Sequence, residues 1–277
     1  MRVFSCVQQF LSLLIAQRLI SMPHSSNDSR FLPGPHAPLI GMPVVVPLRD
    51  LVDSALNTVI ERAAAEARLA AGTLGRCGDY ALVGARVLSV LLDRPYVAVA
   101  GGEIIDCGGG RYIVLFPSRK ARRHARKLSD LKDYHCWIQA EHGLPQGGTR
   151  LEQVDFTVRH NRQVAGVFGV PYLAADQDYL WEWQDVIVPV PAEVRLQLSA
   201  NGNGGDWMWC DAVCMRLLHK YAQEHETLLQ QLTADVLNQL ADMIDARSAP
   251  GTLLCGKLRT VRQVADSAIG RLASRPA

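Results

Sequence analysis

Apolar residues recur at helical spacing first over residues 48–71, where Leu51, Ala55, Val59, Ala63 and Ala67 form a stripe that Val52, Leu56 and Ile60 widen. Asp50, Asn57, Glu61 and Arg68 fall opposite, so the spacing predicts an amphipathic helix. Glu66 lands near the apolar stripe, where a pairing with Arg62 four residues earlier softens the conflict. A second helical run covers 81–92, with Ala81, Ala85, Leu88 and Leu92 on one face and Leu82 on its flank. The pattern then changes to short apolar runs, which read as strands over 96–100 and 103–106, paired across Gly101 and Gly102. A further strand, 112–116, follows the turn Gly108-Gly109-Gly110. Helix is expected again over 118–132, then strands over 134–140 and 151–158, joined through Pro145 and two glycines. Residues 185–190 make one more strand candidate. Beyond the loop 201–205 the chain reads as helix over 207–222, 224–246 and 257–273, and no internal repeat is visible.

This order predicts an α+β fold in which a buried helix packs on an antiparallel sheet. It divides the chain into an extension and Pro-rich lead-in (1–46), an α+β core (47–200) and a helical C-terminal region packed on that core (201–277).

The 277 residues are 48% hydrophobic and 20% charged, enough for a sizeable core, and the net charge of +2 implies no global field for nucleic acid. Seven cysteines at scattered positions (6, 77, 107, 136, 210, 214 and 255) do not form a disulfide framework. They fit a reducing compartment and leave room for a reactive thiol. No run reaches the roughly 18 apolar residues of a membrane span. Residues 3–16 resemble the apolar part of a signal, but Gln8 and Gln9 interrupt it and no small-residue cleavage site follows. A cytoplasmic protein is therefore expected, with Met22 as an alternative start and secretion as the alternative if residues 1–22 act as a signal.

The densest chemistry lies in Gly75-Arg76-Cys77-Gly78-Asp79, at the head of the 81–92 run. A cysteine at a helix start meets backbone N–H groups and the positive end of the helix dipole, which favour a thiolate. Asp79 works against that effect, so a second source is needed. His135 and Asp155 supply it: a nucleophilic cysteine needs a base, and the base needs a partner that orients it. Strand alternation puts His135 and Trp137 on one face, with Asp155 and Thr157 together on the next strand, and antiparallel pairing can bring them opposite.

The pattern Gly75-x-Cys77-x-x-x-Ala81, His135-x-Trp137 and Asp155-x-Thr157, in that order, resembles the transglutaminase-like branch of the papain-like superfamily. The resemblance covers residues 73–158, about a third of the chain. It implies a Cys-His-Asp triad at Cys77, His135 and Asp155, with Gly75, Gly78 and Trp137 as candidates for the substrate cleft. Departures are Phe156 where the family usually has Pro, a basic insertion between Tyr112 and Tyr134, and no visible oxyanion donor beyond the Cys77 N–H. The activity implied is thiol-dependent hydrolysis of an amide or peptide bond through a Cys77 thioester. It needs no cofactor or metal, and acts on a protein, a peptide or a small amide. Acyl transfer to an amine is the alternative, as in transglutaminases or in the arylamine acetyltransferases that Leu74-Gly75-Arg76-Cys77 partly echoes. A binding module on the same fold is the non-catalytic alternative.

Other clusters carry less. Cys210, Cys214 and His219 lack the second ligand pair of a structural zinc site. Trp181, Trp183, Trp207 and Trp209 are expected to pack the C-terminal region onto the sheet rather than to line a cleft. The basic run 119–127 has no interleaved aromatics and reads as a solvated helix face, with no specific nucleic-acid role.

Overall fold

A computed structural model describes residues 48–67, 75–144, 146–198 and 206–247. The extension 1–46, Thr73, Leu74, Cys6, Cys255 and the helix expected over 257–273 lie outside the described residues. Helix α1 spans Leu48–Glu66 and buries Leu51, Val52, Leu56 and Ile60, each at most 1% exposed. Helix α2 (Cys77–Leu92) follows, and Asp93 ends it in the left-handed conformation at φ 49°. The strands are β1 (Val97–Gly108), β2 (Arg111–Leu115), β3 (His135–Gly143), β4 (Thr149–Asp155), β5 (Leu180–Trp183) and β6 (Met208–Cys210). Between them lie the short helices α3 (Arg119–His124), α4 (Asn161–Val167) and α5 (Ala192–Leu198), and the chain continues through α6 (Ala212–Glu224) and α7 (Glu226–Arg247).

The architecture is α+β. All strand pairs are antiparallel and run in the order β2-β1-β3-β4-β5, with β6 also joined to β1. One core binds α1, α2, α6, α7 and the sheet, through residues such as Leu56, Leu88, Ile138, Leu218 and Leu237. Helix α2 lies between the sheet and α7, which explains why nearly its whole circumference is apolar. Its approach to β3 needs Gly84, where a Cβ would come within 2.7 Å of the Ile138 Cδ1 atom.

Four details differ from the sequence reading. Residues 97–108 form one strand rather than a hairpin over Gly101 and Gly102. These glycines are there because β6 crosses closely: a Cβ on Gly101 would lie 1.9 Å from the Trp209 carbonyl oxygen, and one on Gly102 would lie 2.2 Å from the Trp209 ring. The helix expected over 207–222 starts only at Ala212, because the Asp211 carboxylate caps the N–H groups of Val213 and Cys214. The alternating apolar residues just before that cap form β6 instead. Strand β5 lies at 180–183, where Trp181 is buried, whereas Val186 and Val188 in the expected strand are 56% and 75% exposed. Finally, the basic helix is short, since Asp130 accepts bonds from the Arg126 and Lys127 N–H groups and starts a separate turn. Arg122 on it is not a free surface charge: it pairs with Asp211 at 2.7 Å and covers the Phe116 ring.

Among the described residues no helix is long and apolar enough to cross a membrane.

Candidate active site

The site is assembled by register. Gly101 on β1 pairs with His135 on β3, and Ile138 pairs with Val154 on β4. The second pairing sets Asp155 beside Trp137, so alternation returns it to the face that carries His135. The His135 Nε2 atom lies 2.8 Å from Asp155 Oδ2. The other Asp155 oxygen accepts two further bonds, from the Thr157 N–H at 2.8 Å and the Thr157 hydroxyl at 2.7 Å. The Thr of the Asp-x-Thr pattern thus fixes the carboxylate that holds the histidine.

Cys77 opens α2 against this face, and its thiol meets the side chains of Cys136 and His135. Hydrogen bonding with Cys136 comes first in lowering the thiol pKa to about 5; burial opposes it, and His135 adds to it. The proton cost moves to Cys136, whose own burial and whose contact with Cys77 push its thiol well above the ordinary value. Burial also disfavours a charged His135 ring, but Glu103 and Asp155 outweigh it and hold the ring pKa well above the usual histidine value. For Asp155, burial is outweighed by the His135 charge and by the His135 and Thr157 hydrogen bonds, so its carboxyl stays below the usual range. A thiolate, an imidazolium and a carboxylate is the protonation pattern these neighbours favour at neutral pH. Residue exposure falls through the set, from 9% at Cys77 to 6% at His135 and 1% at Asp155.

Glu103 is a member that the sequence reading did not single out. Its Oε2 atom lies 3.2 Å from His135 Nδ1, while Asp155 holds Nε2. The signal was present: Glu103 is the lone charged residue between Tyr96 and Ile105, and a buried charge needs a partner. Burial pushes its carboxyl up to about 7, partly offset by His135 and reinforced by Asp155 and Cys77. Asp79, a source of concern for a Cys77 thiolate, is tied to the Arg76 side chain at 2.6 Å and to the Tyr221 hydroxyl at 2.8 Å.

The three residues suggested for a cleft are placed differently from one another. Trp137 is 1% exposed within the core, its ring parallel to His135 at 6.2 Å, and its indole N–H is buried without a hydrogen-bond partner among the described residues. Gly78 is buried, and a Cβ there would meet Leu128 and Leu218 at 3.4 and 3.6 Å. Gly75 is exposed at φ +85° and supplies the turn into α2. Of the three, only Gly75 borders solvent.

Donor atoms of Glu103, His135 and Asp155 lie within 4.8 Å of one another. Cys214 is buried and capped onto Asp211, while a His219 ring nitrogen sits 2.9 Å from the Gln223 amide. Trp181 is buried beside Phe156, under the Arg49 side chain, and its N–H donates to Glu152 at 2.7 Å. That glutamate also accepts from the Tyr96 hydroxyl and faces His142, making a second buried network at the far end of the sheet. Comparison with protein-family models, with curated proteins and with solved structures finds no match to this chain.

Proposed function

We propose that this chain is a thiol-dependent acyl-transfer enzyme of the transglutaminase-like or papain-like kind, which hydrolyses an amide or peptide bond through a Cys77 thioester. The observation that carries the reading is a thiol brought to a pKa of about 5 beside a histidine held charged by carboxylates. Structural cysteines in apolar surroundings shift the other way, as Cys107 does.

In this reading the Cys77 thiolate attacks the carbonyl carbon, and the oxygen takes the negative charge. The Cys77 backbone N–H, at the positive end of α2, stabilises that oxyanion. The His135 imidazolium gives its Nδ1 proton to the leaving nitrogen as the C–N bond breaks, while Asp155 keeps Nε2 protonated throughout. Water then gives a proton back to His135 and attacks the thioester, releasing the acid and regenerating the thiolate. An amine in place of water gives a new amide by the same steps. A protein, a peptide or a small amide is the substrate class that suits this chemistry.

A second reading, a binding module that keeps the fold without turnover, draws support from the enclosure of the site, where no member of the set exceeds 9% exposure. One experiment separates the two. Intact mass spectrometry after treatment with small activated esters is expected to record one acyl adduct on the wild-type chain and none on Cys77→Ala. An adduct of equal yield on a folded Cys77→Ala chain removes the enzyme reading.

A further inference from the structure

We infer that Glu103 is a positioning residue of this site, a second carboxylate whose charge helps to keep the His135 ring doubly protonated beside Cys77. The inference rests on the Cys77 reading above and extends it to a residue outside the Cys-His-Asp set.

The geometry carries it. Glu103 stands two residues beyond Gly101, the partner of His135, so strand alternation returns its side chain to the His135 face. Gly101 itself contributes no side chain between them. The result is an imidazole with a carboxylate at each nitrogen, Asp155 at 2.8 Å from Nε2 and Glu103 at 3.2 Å from Nδ1, with side chains at most 7% exposed. Asp155 is hydrogen-bonded to the ring, whereas Glu103 stands at ion-pair distance and acts through its charge, which when ionised favours the doubly protonated ring. Glu103 is also held rigidly, because its backbone pairs with Leu115 on β2 and with Met208 on β6.

The titratable groups that act on Glu103 are His135 from β3, Asp155 from the end of β4 and Cys77 from the head of α2. Cys77 in turn meets Cys136 and Tyr134, and Tyr134 also feels Asp79 and Tyr221. Burial keeps Glu103 neutral on the acid side of about 7, so it adds no second negative charge where the Cys77 thiolate first forms. As pH rises past that point Glu103 ionises, and the new charge secures the imidazolium against loss of its proton. Glu103 therefore governs the alkaline limit of the ion pair and leaves its acid limit alone.

The test is the rate of Cys77 alkylation by iodoacetate against pH, in the full chain. Iodoacetate is an anion, so fast reaction needs both the thiolate and the positive ring, and a bell-shaped profile is expected. Glu103→Gln keeps the shape and removes the charge. It is expected to leave the acid limb in place and to move the alkaline limb down by about one pH unit or more, the usual effect of losing one close opposite charge. Glu103→Asp keeps a charge and is expected to recover part of that shift. Superimposed alkaline limbs for wild type and Glu103→Gln overturn the inference. A second measurement needs no variant: ¹⁵N resonances of the His135 ring in the wild-type chain are expected to report a doubly protonated ring at pH 7. A neutral ring at that pH overturns the inference as well. If iodoacetate leaves Cys77 untouched at every pH, the enzyme reading fails, and the ring resonances still decide the role of Glu103.

Discussion

Replacing Asp155 by Asn is expected to slow acyl transfer through Cys77 by about ten- to a thousandfold, less than the roughly 10⁴ seen for the matching change in serine proteases. The direction follows from Thr157. Its N–H and hydroxyl both donate to Asp155 Oδ1, so an asparagine must keep its carbonyl oxygen there. The amide NH₂ then faces His135 Nε2, which the carboxylate oxygen now meets at 2.8 Å. An NH₂ donor needs an acceptor, so it forces the lone pair onto Nε2 and the proton onto Nδ1. That is the tautomer with no room for the Cys77 proton. The loss is smaller than in serine proteases because a cysteine site forms part of its ion pair before substrate arrives. Stability should change far less than rate, since shape and burial are kept. The check is a comparison of rates for the acyl probe, wild type against Asp155→Asn. Rates within twofold of each other would remove Asp155 from the mechanism.

Gly101→Ala is expected to destabilise the chain by about 3 kcal/mol or more, at the upper end of overpacking effects. The added methyl would lie 1.9 Å from the Trp209 carbonyl oxygen and 2.9 Å from the Asp211 nitrogen. Both are backbone atoms, so no rotamer change relieves the clash. Strand β6 must move off β1, and the bond from the Asp211 N–H to the Ala100 carbonyl at 3.1 Å goes with it. Asp211 is also the cap of α6 and the partner of Arg122, so the damage spreads to two further elements. Gly143→Ala is the control, because its Cβ would meet nothing within 4 Å and its effect should stay within about 0.5 kcal/mol. Urea unfolding of the two variants makes the comparison, and similar midpoints would mean that β6 is not seated on β1.

The same glycines mark where the sequence stops being legible. A Gly-Gly pair between two apolar runs reads as a turn, because local sequence reports conformational freedom and says nothing about a strand arriving from over a hundred residues away. Strand β6 was hidden for a related reason: Trp207-Met208-Trp209 suits a helix face as well as a strand, and only the Asp211 cap separates the two. By contrast, α1 and α2 are set by their own apolar stripes. The shared face of His135 and Trp137 follows from strand alternation alone, and the β3–β4 register adds Asp155 to it. Glu103 went unread although its charge stands out in an apolar strand, since the one-strand course of 97–108 is what carries it to His135. Arg122 looked like part of a solvated run, and its partners Asp211 and Phe116 come from other segments.

Catalysis through Cys77 requires a thiolate at neutral pH, and alkylation of the wild-type chain measures that directly. With iodoacetamide followed by mass spectrometry at Cys77, the rate is expected to reach half its plateau near pH 5, where the Cys136 and His135 contacts put the thiol. A half-point at about 8.5, the value of an unperturbed thiol, would contradict it.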